Sequence, residues 1–210
     1  MAIGLPRLAV LISGRGSNLQ AIIDAIADGR LGADLALVIS NVHDAYGLTR
    51  ARAAGIAAQV IPHREWPSRE AYDRALVDAL RAARVDLVCL AGFMRLLTPG
   101  FVDAFPARIL NIHPSLLPAF PGVDAPRQAF DHGVKFTGVT VHIVTAELDA
   151  GPIVMQAAVD VLPEDTPESL AARILAEEHR LYPQAIQLVL DRQWHLEGRR
   201  FVAAAVRSEL

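Results

Sequence analysis

The 210-residue sequence predicts an α/β fold: a mostly parallel twisted sheet flanked by helices, with an antiparallel C-terminal extension. Three features carry that reading. Short apolar runs alternate with helix-spaced stripes up to residue 113, the first run ends in a glycine-rich turn, and beyond residue 113 prolines and paired strand patterns take over. Apolar residues make up 52% of the chain, which suits one sizeable core and excludes a disordered chain.

The elements follow in order. Leu8 to Ile12 is a buried strand and leads into Gly14-Arg15-Gly16-Ser17-Asn18, after which Leu19, Ile22, Ile23 and Ile26 recur at helical spacing. Ala33 to Ile39 is a second strand, residues 45 to 54 a helix, and residues 57 to 60 a weak third strand. Ser68 caps a helix running to Ala83, because its hydroxyl oxygen can accept a free N–H of the first turn. Val85 to Leu90 and Arg108 to His113 are the fourth and fifth strands. Strand–helix–strand units of this kind make a parallel sheet covered on both faces.

Pro114, Pro118, Pro121 and Pro126 then predict a loop, since proline lacks an N–H and clashes with the preceding turn of a helix. Phe136 to Thr145 and Pro152 to Val161 read as paired strands around the turn at residues 146 to 151. A long helix spans residues 167 to 190, and residues 194 to 202 form a closing hairpin. No linker divides the chain, so one domain is expected, built of halves 1–107 and 108–210.

Bulk properties narrow the function. The net charge of −3, with no basic stripe, argues against a nucleic-acid partner. No apolar run approaches the ~18 residues of a membrane span. The single cysteine, Cys89, excludes a disulfide framework and lies in an apolar strand, and no Cys/His cluster has zinc spacing. A cytoplasmic protein acting on small molecules is the expectation.

Gly14-x-Gly16 between a strand and a helix suits an anion, because glycines admit close approach and helix N-terminal N–H groups face it. A tight turn that only links strand to helix is the alternative. The third glycine of a dinucleotide fingerprint is replaced by Leu19, and the second strand ends at Ser40-Asn41 without a ribose-gripping acid. A single phosphate monoester therefore fits better than NAD or ATP, with Ser17 and Asn18 as added donors.

Asn111 and His113, two apart at the carboxyl end of a strand, face one side, and Pro114 keeps His113 extended. An amide and an imidazole together suit a tetrahedral oxyanion. The plainer reading is an Asn-capped strand end with the histidine satisfied by a backbone carbonyl. Asp149 lies in a turn, where an aspartate usually serves local hydrogen bonding; a role in chemistry requires it beside His113. His43, His63, His132 and His195 are expected in solvent and His179 in a structural hydrogen bond. His142 lies on a strand with its face undecided.

Five ordered blocks resemble glycinamide ribonucleotide formyltransferases, within the folate-dependent formyltransferase family: Leu11 to Ile22, Leu90 to Arg95, Asn111 to Pro118, Thr137 to His142 and Glu147 to Pro152. The resemblance covers residues 7 to about 190. It implies a Rossmann-like formyltransferase fold and transfer of a formyl group from 10-formyltetrahydrofolate to glycinamide ribonucleotide, a step of purine synthesis. The transfer would be direct, with no metal and no covalent enzyme intermediate, by a monomer or homodimer. Carried over by position, Asn111, His113 and Asp149 are its catalytic residues. Asn111 and protonated His113 would hold the oxyanion, and Asp149 would favour the imidazolium and order a proton-relaying water. Gly16, Ser17, Asn18, Pro114 and Glu178 fall on the ribonucleotide side. Arg69, Met94, Arg95, Leu96, Leu97 and the stretch Thr145, Ala146, Glu147, Leu148 and Asp149, with Asn111, fall on the folate side. The halves then become a phosphate-binding half, 1–107, and a catalytic and folate-binding half, 108–210. A cis bond is implied at Leu117–Pro118.

Two departures stand out. Leu175 occupies a position where many relatives have a polar phosphate contact, and Asp124 and Pro126 replace frequent histidines. Three rivals are weighed. A 10-formyltetrahydrofolate hydrolase is expected to carry a regulatory domain before the first strand, and a methionyl-tRNA formyltransferase a basic domain after the catalytic one. A non-catalytic nucleotide-binding module would keep the glycine loop but have no use for Asn111, His113 and Asp149 together.

Overall fold

The structure, a computed structural model, describes residues 4–203. Its centre is β1 (Arg7–Ile12), apolar on both faces. Leu8, Val10 and Ile12 pack into one cluster with α1 (Ser17–Ala27), α2 (Tyr46–Ala53) and α6 (Pro167–Leu190). Ala9 and Leu11 pack into a second cluster with α3 (Arg69–Ala82) and α4 (Pro99–Ala104). Burial on both sides explains why the first strand is a continuous apolar run rather than an alternating one.

Around β1 lie β2 (Asp34–Ser40), β3 (Ala58–Val60), β4 (Leu87–Leu90), β5 (Ile109–His113), β6 (Phe136–Ile143), β7 (Ile153–Asp160), β8 (Trp194–Glu197) and β9 (Arg200–Ala203). The sheet order is β3-β2-β1-β4-β5-β6-β7-β9-β8. From β3 to β5 every pairing is parallel; β5–β6 and β6–β7 are antiparallel. The reversal after β5 places Asn111 opposite His142 and His113 opposite Thr140. The mostly parallel α/β architecture and its antiparallel C-terminal part match the expectation. The short hairpin β8–β9 adds to the edge through Ile153 and Arg200.

Local chemistry accounts for the helix ends. The Ser68 hydroxyl accepts the Ala71 N–H at 3.1 Å, as its position predicts. Thr166 and Ser169 satisfy each other's backbone N–H groups at the start of α6. The hydroxyl of Tyr182, fully buried, lies 2.9 Å from the Leu90 carbonyl and 3.1 Å from that of Leu110, joining α6 to β4 and β5.

The proline-rich segment differs from the expectation. Pro126 lies in the first turn of α5 (Ala125–His132) instead of in a loop, and Pro99 opens α4, for which no element was expected. In a first turn proline's missing N–H has no partner to lose and its fixed φ already suits a helix. The Leu117–Pro118 bond is cis.

Candidate functional site

The first strand delivers its turn to the carboxyl edge of the sheet, where open α/β folds place their sites. Gly16 adopts φ +69°, and a Cβ there would stand 2.6 Å from Gly47 Cα, so glycine answers both the conformation and the contact. α2 braces this turn: the Gly47 N–H donates to the Gly14 carbonyl at 3.1 Å, and Arg50 Nε to the Arg15 carbonyl at 3.0 Å. Ser17 opens α1, and the buried Asn18 donates its Nδ2–H to Glu178 Oε2 at 2.8 Å. Burial pushes the Glu178 carboxyl up to about 7, partly offset by that Asn18 bond. Residues from opposite ends of the chain thus share one wall: the glycine loop, Asn18 and Glu178.

At the end of β5, His113 is buried, and its Nδ1 stands 3.5 Å from Asp149 Oδ2. Its Nε2 contacts the Phe120 carbonyl at 2.8 Å, so the plainer expectation of a carbonyl-satisfied histidine also holds. Asn111 Nδ2 lies 3.1 Å from His142 Nε2, which is in turn 3.7 Å from Asp149 Oδ1. His142 Nδ1 faces the Ile143 carbonyl at 3.2 Å, and the Asn111 amide, which has two hydrogens, can direct only one of them at Nε2 and keeps the second free.

The turn holding Asp149 is tightly specified. Asp149 has φ +49°, and a Cβ at Gly151 would lie 1.7 Å from the Ile143 carbonyl oxygen. The Gly122 N–H donates to Asp149 Oδ2 at 2.8 Å, and Arg199 of the β8–β9 turn donates to the Ala150 carbonyl at 2.6 Å. Burial raises the Asp149 carboxyl. The polar contacts of His142 and the Gly122 N–H, with the charges of His113 and His142, outweigh it and hold the group below the ordinary carboxylate range. Asp149 is therefore an anion at neutral pH, facing two imidazoles.

The other expected positions fall as follows. Met94 and Leu96 are exposed on the loop after β4, where Met94 N–H donates to Ser13 Oγ at 2.8 Å. Arg95 Nε is buried without a hydrogen-bond partner among the described residues, and the Leu97 side chain belongs to the α3–α4 core. Thr145, Ala146, Glu147 and Leu148 form the turn before Asp149, with Leu148 54% exposed. Pro114 is half-buried beside His113. Arg69 is the exposed first residue of α3 and makes no side-chain hydrogen bond among the described residues.

Two expectations about histidines change, for His63 and His179, and the open face of His142 is decided. His142 faces Asn111 and Asp149 because β6 runs antiparallel in that register. His63 is half-buried, its Nδ1 3.1 Å from the Asn41 carbonyl. His179 Nε2 is buried without a hydrogen-bond partner among the described residues, so the expected structural bond is absent; the residue borders the cleft of Ser17, Gln20, Asp24 and Arg50. Gly47, Phe120 and Gly122 also contribute, through backbone groups, and Arg50 through its guanidinium; single-sequence reading passes over them because packing between distant segments places each one. Among the described residues no group of three or more His, Cys, Asp or Glu could hold a metal ion, and no helix is long and apolar enough to cross a membrane.

The chain is similar to several known proteins. A family model described as formyl transferase matches residues 6–186. A phosphoribosylglycinamide formyltransferase of Escherichia coli (strain K12) is 47% identical over 192 residues, 91% of this chain and 88% of that protein. A trifunctional purine biosynthetic protein adenosine-3 of Drosophila melanogaster is 51% identical over 187 residues, and the match covers 88% of this chain but only 14% of the fly protein's length. The crystal structure of glycinamide ribonucleotide transformylase 1 from Symbiobacterium toebii superposes with a TM-score of 0.93 at 56% identity, covering 97% of this chain and 95% of that one.

Proposed function

The chain belongs to the formyl transferase family, and on that premise we propose that it transfers the formyl group of 10-formyltetrahydrofolate to the amine of glycinamide ribonucleotide. The products are N-formylglycinamide ribonucleotide and tetrahydrofolate. The single observation that carries the reading is the convergence of Asn111, His113 and Asp149 at one end of β5, with the Asp149 carboxylate 3.5 Å from the imidazole.

The acceptor's phosphate fits the N–H groups of Gly16 to Asn18, and Glu178 lies within one side chain's reach to accept from a donor of the same molecule. The folate's ring fits the apolar side chains left in water on two loops, Met94, Leu96 and Leu148, beside the peptide groups of residues 94 to 97. The folate supplies a formyl carbon on a nitrogen able to leave.

As the acceptor amine bonds to that carbon, the carbonyl oxygen gains negative charge. Asn111 directs its free amide hydrogen at this oxygen, and His113 exchanges the Phe120 carbonyl for it. One such donor is worth about 3 kcal/mol when it is set in advance. Asp149 holds the imidazolium by charge and geometry. The proton lost by the amine reaches the departing folate nitrogen through His113, or through water ordered by Asp149, as the carbon–nitrogen bond to folate breaks.

The test is spectrophotometric: tetrahydrofolate appears from 10-formyltetrahydrofolate only when glycinamide ribonucleotide is present. Release that ignores the ribonucleotide identifies a hydrolase and overturns the reading; no release identifies a binding module.

A further inference from the structure

The anion-holding residues Gly16, Ser17 and Asn18 carry no positive charge of their own. Their donors are N–H groups, a hydroxyl and an amide, and the Glu178 carboxylate stands directly behind Asn18. A phosphomonoester brings about 1.5 to 2 negative charges at neutral pH. The N–H groups answer part of that charge, and a cation beside them adds to the preference for the phosphorylated acceptor.

The candidates separate by what holds them. The Arg15 side chain is exposed and makes no hydrogen bond or ion pair among the described residues, so nothing fixes it. Arg30 pairs with Asp28 at 3.0 Å. His179 borders the same cleft, but burial and the nearby Arg50 charge hold its pKa below the ordinary value, so its ring is neutral at pH 7. Asp24 is engaged by Gln20 Nε2 at 2.8 Å. Arg50 is pinned on three sides: Nε donates to the Arg15 carbonyl at 3.0 Å, Nη1 donates to Gln20 Oε1 at 3.1 Å, and its Cζ lies 4.9 Å from the centre of the Tyr46 ring. Its Nη2 has no hydrogen-bond partner among the described residues. The guanidinium borders a cleft of about 290 Å³ shared with Ser17, the first residue of α1.

We propose that Arg50 is the specificity-determining cation of the phosphate end, braced on the loop it serves and offering Nη2 to the phosphomonoester held at Gly16 to Asn18. Two functions meet in one side chain. Its bond to the Arg15 carbonyl sets the peptide immediately before Gly16, and its charge answers the phosphate. It also does for this chain what Leu175 is unable to do from α6. The inference rests on the formyl-transfer reading for the identity of the acceptor, though not for the presence of an anion site.

The experiment compares wild type, Arg50→Gln, Arg50→Lys and Arg15→Gln. Each is assayed with glycinamide ribonucleotide and with its unphosphorylated riboside, and melted with and without ribose 5-phosphate. Arg50→Gln is expected to raise KM for the ribonucleotide about 10- to 100-fold, with kcat and the KM for formyl-folate within a few-fold. Riboside turnover stays near wild type, so the preference for the phosphorylated acceptor collapses. Arg50→Lys, which keeps the charge but loses the fork, falls between; it also serves if the glutamine variant does not fold. Arg15→Gln changes little. Ribose 5-phosphate raises the melting temperature of wild type and of Arg15→Gln but not of Arg50→Gln. The proposal is overturned if Arg50→Gln keeps its phosphate preference, if riboside and ribonucleotide suffer equally, or if Arg15→Gln produces the loss instead. Should wild type be stabilised by ribose 5-phosphate, with Arg50→Gln not, while transferring no formyl group, the reaction assignment fails and the anion site stands.

Discussion

Asp149 Oδ2 lies 3.5 Å from His113 Nδ1 and at the same time accepts the Gly122 N–H, so the proline-rich loop and the imidazole are tied to one carboxylate. The same carboxylate faces His142, whose ring positions the Asn111 amide. Charge placement and donor placement therefore share one hub.

Asp149→Asn removes the charge while keeping the shape. Because Gly122 can still donate to the amide oxygen, the fold is expected to survive and kcat to fall about a hundredfold or more. Circular dichroism confirms folding and steady-state kinetics measure the loss; a folded variant within about threefold of wild type would refute the role of the carboxylate.

Glu178 makes acceptor binding depend on pH. Its carboxyl is raised from 4.5 to about 7, so it is mostly protonated below that pH and gains its anion above it. KM for the ribonucleotide is expected to fall as pH rises through about 7, and to lose that dependence in Glu178→Gln. Linkage gives a second readout without substrate. A raised acid pKa contributes stability present below the unfolded value, near 4.5, and lost as pH climbs through about 7. Between pH 5 and 8 the glutamine variant should thus gain melting temperature relative to wild type.

Gly16→Ala meets both the left-handed φ of +69° and Gly47 Cα at 2.6 Å. The loop must shift, so stability drops by more than about 1 kcal/mol and KM for the ribonucleotide rises, with KM for formyl-folate unchanged. Parallel rises in both KM values would show that the loop does not serve one substrate alone.

Tyr182→Phe leaves the carbonyls of Leu90 and Leu110 without the buried hydroxyl. A loss of about 1–2 kcal/mol is expected, seen as a lower denaturant midpoint at constant slope. An unchanged midpoint would mean that α6 holds to the sheet by apolar contact alone.

Much of this was legible along the chain, because its signals are local. The apolar run of β1, the glycine turn, the Ser68 cap and the pairing of β6 with β7 depend on neighbours within a few residues, and the structure keeps them. The short prolines-first helices α4 and α5 escaped, since proline reads as a breaker unless the first-turn position is known. The Asn111 and His113 spacing, being local, already set both side chains on one side of β5.

What the sequence by itself determined is the set of parts: an α/β sheet edge bearing a glycine loop, an Asn-x-His strand end and an acidic turn. Only the tertiary structure decided which parts meet. The antiparallel register of β6 on β5 put His142 against Asn111, packing of α6 on α1 put Glu178 against Asn18, and the close approach of Gly16 and Gly47 put Arg50 on the anion loop. Hydrophobic patterning specifies which face of an element is buried but not which distant element covers it. Contacts across the fold are chosen by the packing of the whole core, and no short stretch of sequence carries that information.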